Sequence, residues 1–144
     1  MEGIRSPSEP AAAHEPLPAP SRSRAVLAVR AVESLLAATS SRMPSVDELA
    51  LASGMPRRSL ERAFRTVVGM SPAEYVRHRA LAEARRLLLE PSSPGDKAVT
   101  RVAAACGFWH LGRFAAYYRR AFGETPSQTL KRASIAPPVR PTTS

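Results

Sequence analysis

From Ala25 to Ala38, the apolar residues Val26, Val29, Val32, Leu35 and Leu36 recur at three- and four-residue steps, with Arg30 and Glu33 off the stripe. That spacing gathers them on one face of a helix. Ser45, with Glu48 three residues on, forms a capping box that predicts a short helix over Val46–Ser53, ended by Gly54. A longer helix is predicted from about Pro56 to Val68, stopped by Gly69. Ser71-Pro72-Ala73-Glu74 combines a cap, a proline at the first helical position and a box partner. The helix it opens carries Tyr75, Val76, Ala80, Ala84, Leu87 and Leu88 and breaks at Pro91, where Pro91–Asp96 reads as a loop.

The pattern then restarts. Val99–Cys106 predicts a short helix ended by Gly107, and Leu111–Phe122 a longer one ended by Gly123. Thr125-Pro126-Ser127-Gln128 restates the cap, proline and box partner of the Ser71 segment. An offset of 53 pairs Val46 with Val99, Leu49 with Val102, Ala50 with Ala103 and Gly54 with Gly107. One residue more, an offset of 54, pairs Leu60 with Phe114, Phe64 with Tyr118, Gly69 with Gly123 and Pro72 with Pro126. One helical unit occurs twice, with a long helix between the copies.

Composition narrows what such a molecule does. Of 14 prolines, many lie in the first twenty residues and three close the chain, so residues 1–21 and 134–144 are expected to be disordered tails around a folded part at 22–133. Within it the first unit is expected at 24–70, the linker helix at 71–90 and the second unit at 97–133. The net charge of +9 comes from the folded part and is nearly all arginine, whose planar fork suits phosphate and guanine edges. A polyanion is therefore the expected partner. The lone Cys106 excludes an internal disulfide and a cysteine-rich metal site. The N-terminus lacks the apolar core of a signal peptide, and no apolar stretch is long enough to span a bilayer. A cytoplasmic protein without membrane attachment, catalytic residues, cofactor or metal, and with no evident small-molecule site, is expected.

Each repeat reads as a short helix, a tight glycine turn and a longer helix with a basic outer face, the layout of a helix-turn-helix whose second helix enters the major groove of duplex DNA. In the first copy Leu60, Phe64 and Val67 point inward, so Arg58, Glu61, Arg62 and Arg65 project together as candidate base contacts. The two arginines suit guanine edges and Glu61 a cytosine amino group. Arg57 and Ser59 lie at the rim, where phosphate contact is expected. In the second copy Phe114, Tyr118 and Leu111 are the inward candidates. The positions matching Arg58, Glu61 and Arg62 are Gly112, Ala115 and Ala116, without long hydrogen-bonding side chains. His110, Arg113, Arg119 and Arg120 are its phosphate candidates. The second unit should lean on phosphates, thymine methyl groups and DNA shape, and discriminate less.

The run Val46–Tyr75, with Gly54, Leu60, Arg62, Phe64, Gly69, Ser71 and Pro72, resembles the first half of the AraC/XylS DNA-binding domain. Ala103, Gly107-Phe108, Phe114, Tyr118, Phe122-Gly123 and Pro126 look like its second half. The string Gly107–Phe114 looks like members that control catabolic operons, such as those for ethanolamine or aromatic acids. The resemblance implies an all-α fold of two homeodomain-like three-helix units joined by a linker helix, with recognition helices at about 56–68 and 111–122 in successive major grooves. It implies base-reading positions at Arg58, Glu61 and Arg62, with Gly112 and Ala116 as the second unit's equivalents, and a bacterial transcription regulator, an activator touching RNA polymerase. Pro56 and His110 stand where a serine cap is common. Family members usually carry a ligand-binding or dimerisation domain ahead of this one, whereas only a short tail precedes it here.

Plainer roles weigh against several of these residues. The aromatics are expected in the core, Trp109 as a packed lid rather than a DNA contact, Cys106 as inert packing, and Arg77, Arg79, Arg85 and Arg86 as a solvated helix face. His14, His78 and His110 lie on unrelated segments with no partner at ligand spacing. The alternative function is a protein-interaction module, or a truncated regulator, that pairs with a full-length regulator or with polymerase.

Overall fold

A computed structural model of the chain describes residues 19–39, 42–90 and 97–135. Among them it holds seven helices and no strand: α1 Arg22–Ala38, α2 Val46–Ser53, α3 Arg57–Val67, α4 Pro72–Leu89, α5 Ala98–Ala105, α6 Leu111–Phe122 and α7 Pro126–Ile135. The loop Pro91–Asp96 and most of the two expected tails lie outside the described residues.

Caps set most of the boundaries. α1 starts ahead of its apolar stripe because the Ser21 hydroxyl accepts from the Arg24 amide at 3.3 Å, so Ser21 belongs to the fold rather than to the tail. At α2 the Ser45 hydroxyl accepts from the Glu48 amide at 3.2 Å, and the Glu48 carboxylate accepts from the Ser45 amide at 2.7 Å. Arg42 grips the same carboxylate at 2.9 Å. The guanidinium and the Ser45 amide together hold the Glu48 carboxyl down at about 2. The Ser71–Glu74 and Thr125–Gln128 boxes both form as the sequence predicted. The latter launches α7 to Ile135, two residues into the stretch expected as tail.

Two cores result. In the first, Ala25, Ala28, Val29 and Val32 of α1 meet Leu49 of α2 and Leu60, Ala63 and Phe64 of α3, with Val76 of α4 closing the cluster. The buried face of α1 is thus one of small residues: Ala25 and Ala28 take the deep positions and Val26 is only half-buried. In the second, Leu81, Ala84 and Leu88 of α4 pack on Val102, Ala103, Cys106, Phe108, Phe114 and Tyr118. The linker helix therefore serves both units, its first turns closing one core and the remainder closing the other. At 18 residues it is a rod of about 27 Å. Leu81, which the sequence reading left off the inward face, is 2% exposed at the start of the second core.

The repeat holds in three dimensions. Leu49 and Val102, Leu60 and Phe114, Phe64 and Tyr118, and Pro72 and Pro126 are buried pair by pair. The turn glycines Gly54 and Gly107 both have positive φ, 69° and 89°. The aromatics pack as core: Phe64 lies edge-on to Tyr75 at 5.3 Å, and Phe108, Phe114, Tyr118 and Phe122 form a chain of ring contacts. The buried Tyr118 hydroxyl donates to Thr129 Oγ1 at 2.8 Å, which satisfies the polar pair in the second core.

Cys106 is buried, and loss of solvation pushes its thiol up to about 11. At neutral pH it should therefore react with a maleimide far more slowly than a free thiol, and at the free-thiol rate in denaturant. Labelling of the native protein at the free-thiol rate would contradict the packing described.

Candidate nucleic-acid interface

α3 is divided lengthwise. Leu60, Ala63 and Phe64 are fully buried, while Arg57, Arg58, Glu61, Arg62 and Arg65 are all exposed. Ala63 completes the inward stripe, and Val67 is only half-buried, as is Ser59. The four residues expected to read bases therefore share solvent-facing ground on one helix. Arg57 Nη1 lies 3.7 Å from Asp47 and its Nε 3.9 Å from Glu61. These exposed pairs are worth at most about 1 kcal/mol, so they orient Glu61 without withholding it from a ligand.

α6 is divided in the same way. Phe114 and Tyr118 are buried, Ala115 is half-buried, and Gly112, Arg113, Ala116, Arg119 and Arg120 are exposed, as is His110 just ahead of the helix. Neither Pro56 nor His110 caps its helix through a side chain. The first-turn amides of α3 and α6 are thus left without that acceptor, an arrangement that suits an anionic oxygen.

Two expectations fail here. Trp109 is no packed lid: it is 77% exposed. Phe108 takes the inward place instead, 7% exposed with its ring 4.8 Å from Phe114. Leu111, an inward candidate, is 45% exposed, because at the first position of α6 it precedes the buried stripe that begins with Phe114. The core has room for one aromatic at this turn, and the sequence offers two in succession.

Of the four linker arginines, Arg79 and Arg86 are exposed as expected, but Arg77 and Arg85 are more than a solvated face. The Arg77 guanidinium sits 4.3 Å over the Tyr117 ring, and that of Arg85 sits 4.7 Å over Phe122 while lying 3.6 Å from Glu124. Arg86 is bound by Glu83 of its own helix and by Glu90, the residue that caps its C-terminus. Arg77 and Arg85 thus tie α4 to α6.

The two units also touch directly. A Cβ built on Gly107 would meet the Met43 amide nitrogen at 2.9 Å and the Arg42 carbonyl carbon at 3.3 Å, so the turn of the second unit lies against the segment leading into α2. Met43 packs on both cores. Gly54, its counterpart, has nothing within 4 Å.

Beside this contact lies a cavity of about 510 Å³ lined by Leu36, Met43, Val76, Arg79, Ala80 and Cys106 among others. Sequence reading expected no evident small-molecule site. The cavity is large enough for one, although Arg42 and Arg86 on its rim are already held by Glu48, Glu83 and Glu90. Among the described residues no group of three or more His, Cys, Asp and Glu is placed to hold a metal ion, and no helix is long and apolar enough to cross a membrane.

Residues 49–132 match the family model described as a helix-turn-helix domain. Over 88 residues the chain is 43% identical to the XylDLEGF operon transcriptional activator of Pseudomonas putida, a match covering 61% of this chain and 27% of that protein. The chain thus aligns with about a quarter of the length of that relative. Among solved structures, a probable AraC family transcriptional regulator from Rhodopseudomonas palustris is 39% identical with a TM-score of 0.65, covering 74% of this chain and 96% of that one. The DNA-binding domain of AdpA, a global transcriptional factor solved in complex with a target DNA, is 28% identical with a TM-score of 0.58, covering 76% of this chain and 90% of that one.

Proposed function

The chain belongs to the AraC/XylS-type helix-turn-helix family, and on that premise we propose that it binds duplex DNA sequence-specifically and regulates bacterial transcription, acting in the cytoplasm. α3 and α6 enter successive major grooves. Arg58, Glu61, Arg62 and Arg65 meet base edges from the first unit, and Gly112 and Ala116 lie closest to the bases in the second. Arg57, Ser59, His110, Arg113, Arg119 and Arg120 hold phosphates and set the register. The role is one of binding rather than catalysis. Activation through contact with RNA polymerase is the regulatory output.

The observation that carries this reading is the lengthwise division of both second helices. Each buries one side in its own core and turns arginine outward on the other. Any surface helix turns polar side chains outward, but on α3 four of the five long exposed side chains, Arg57, Arg58, Arg62 and Arg65, are cationic guanidinium groups, which suit phosphates and guanine edges. Support also comes from the relative solved on its target DNA.

The test is a titration of labelled duplex at rising salt. With four cationic phosphate contacts, from Arg57, Arg113, Arg119 and Arg120, affinity should fall about a hundredfold between roughly 50 and 200 mM salt. A flat salt dependence would contradict phosphate binding, and equal competition by a polyanion such as heparin and by the best duplex would leave only a basic surface without a DNA site.

A further inference from the structure

Trp109 and Leu111 are two of the large apolar side chains that the described fold leaves exposed, at 77% and 45%. They stand two positions apart where α6 begins, at the end that a recognition helix turns toward bases. The others of that class, Leu27, Leu51, Leu89 and Ile135, are scattered over four other helices. Around the pair the surface is polar or small: His110 lies between them, the cationic Arg113 follows, and Gly112, Ala115 and Ala116 have no hydrogen-bonding side chain. This end of α6 therefore has charge for phosphates and apolar area for something that is not charged. At the start of α3 the positions matching Leu111 and Gly112 are Arg57 and Arg58.

In the major groove, the one apolar group that a base pair presents is the thymine 5-methyl. We infer that Trp109 and Leu111 are specificity-determining residues of the second unit, which cover thymine methyl groups while the neighbouring His110 and Arg113 grip phosphates. The inference rests on the DNA-binding reading above and deepens it: α3 reads by hydrogen bonds, and α6 reads by apolar contact. The exposure of an indole in the free protein follows from this, since its packing partner is the ligand.

Trp109 is the single tryptophan of the chain, so its emission reports this site alone. The experiment follows emission and acrylamide quenching as the native chain is titrated with a duplex first selected by this chain from a random pool, while anisotropy of a label on the DNA reports complex formation independently. The titration is repeated with each thymine of the second half-site replaced by deoxyuridine. Bound Trp109 should be shielded from acrylamide, and at least one thymine replacement should weaken binding about three- to fivefold, the worth of one buried methyl. That sensitivity should vanish in Trp109→Ala or Leu111→Ala, both of which should fold normally because the side chains removed are exposed. A complex seen by anisotropy in which Trp109 stays as open to acrylamide as in the free chain overturns the inference. So does indifference to every deoxyuridine replacement. If anisotropy detects no specific complex at all, the DNA-binding reading itself has failed, and this inference falls with it.

Discussion

Gly107→Ala is expected to remove about 2–5 kcal/mol of folding stability, the largest loss for an alanine placed at any of the described glycines. Two costs combine. At φ 89° an L side chain is strained by about 1–2 kcal/mol. The new Cβ would also press within 2.9 Å of the Met43 amide nitrogen, a backbone atom that cannot swing aside. Overpacking of that kind adds about 1–3 kcal/mol. Gly54→Ala is the matched control. It carries the same kind of strain at φ 69° but meets nothing within 4 Å, so it should lose only about 1–2 kcal/mol. Urea denaturation of the two variants should show a clearly lower midpoint for Gly107→Ala. Equal midpoints would mean that the contact between the two units does not exist in solution. Because Met43 packs on both cores, relief of the clash would also shift one unit against the other, so Gly107→Ala should weaken DNA binding at temperatures where it is still folded.

Arg58→Ala and Arg62→Ala should each lower discrimination at one base pair by about 1–3 kcal/mol, roughly five- to 150-fold. Both side chains are exposed on α3, so truncation opens no cavity. What disappears is the fork that fits a guanine edge. Arg119→Ala, on α6, supplies the contrast: with one phosphate no longer gripped, binding to all sequences should weaken alike and the salt slope should fall by about one. Competition titrations against single-base variants of the site separate the two behaviours. Uniform weakening by Arg58→Ala would move that residue from base reading to phosphate binding.

Most of the architecture was legible in the sequence because its signals are local. Ser45–Glu48, Ser71–Glu74 and Thr125–Gln128 are boxes closed within four residues, and each starts its helix where the pattern says. The doubled spacing of Leu60 with Phe114 and Phe64 with Tyr118 was legible because core positions must recur in step when a unit is repeated. The strip on α3 followed from the same periodicity, since an inward stripe defines its outward complement.

What the sequence hid depends on contacts between distant segments. Nothing near Gly107 tells that its turn lies against Met43, whereas Gly54 faces open space. Arg77 and Arg85 look like solvent-facing charges until Tyr117 and Phe122 are placed beneath them. Two aromatics in succession, Phe108 and Trp109, compete for one inward place, and their order alone does not say which wins. Phe108 takes the core place expected of it, while Trp109, expected to pack beside it as a lid, is left outside. The one available hint was the second unit's lack of polar side chains at Gly112, Ala115 and Ala116, which implied that something else must do its reading.

Selection of bound duplexes from a random pool with the purified chain probes the double-groove account most directly. The account predicts a bipartite sequence: one sharply defined element carrying guanines for α3, and a second, softer element richer in thymine about one helical turn, roughly 10 base pairs, away. Recovery of a single element, or of a pool no different from the input while the protein remains folded, would contradict it.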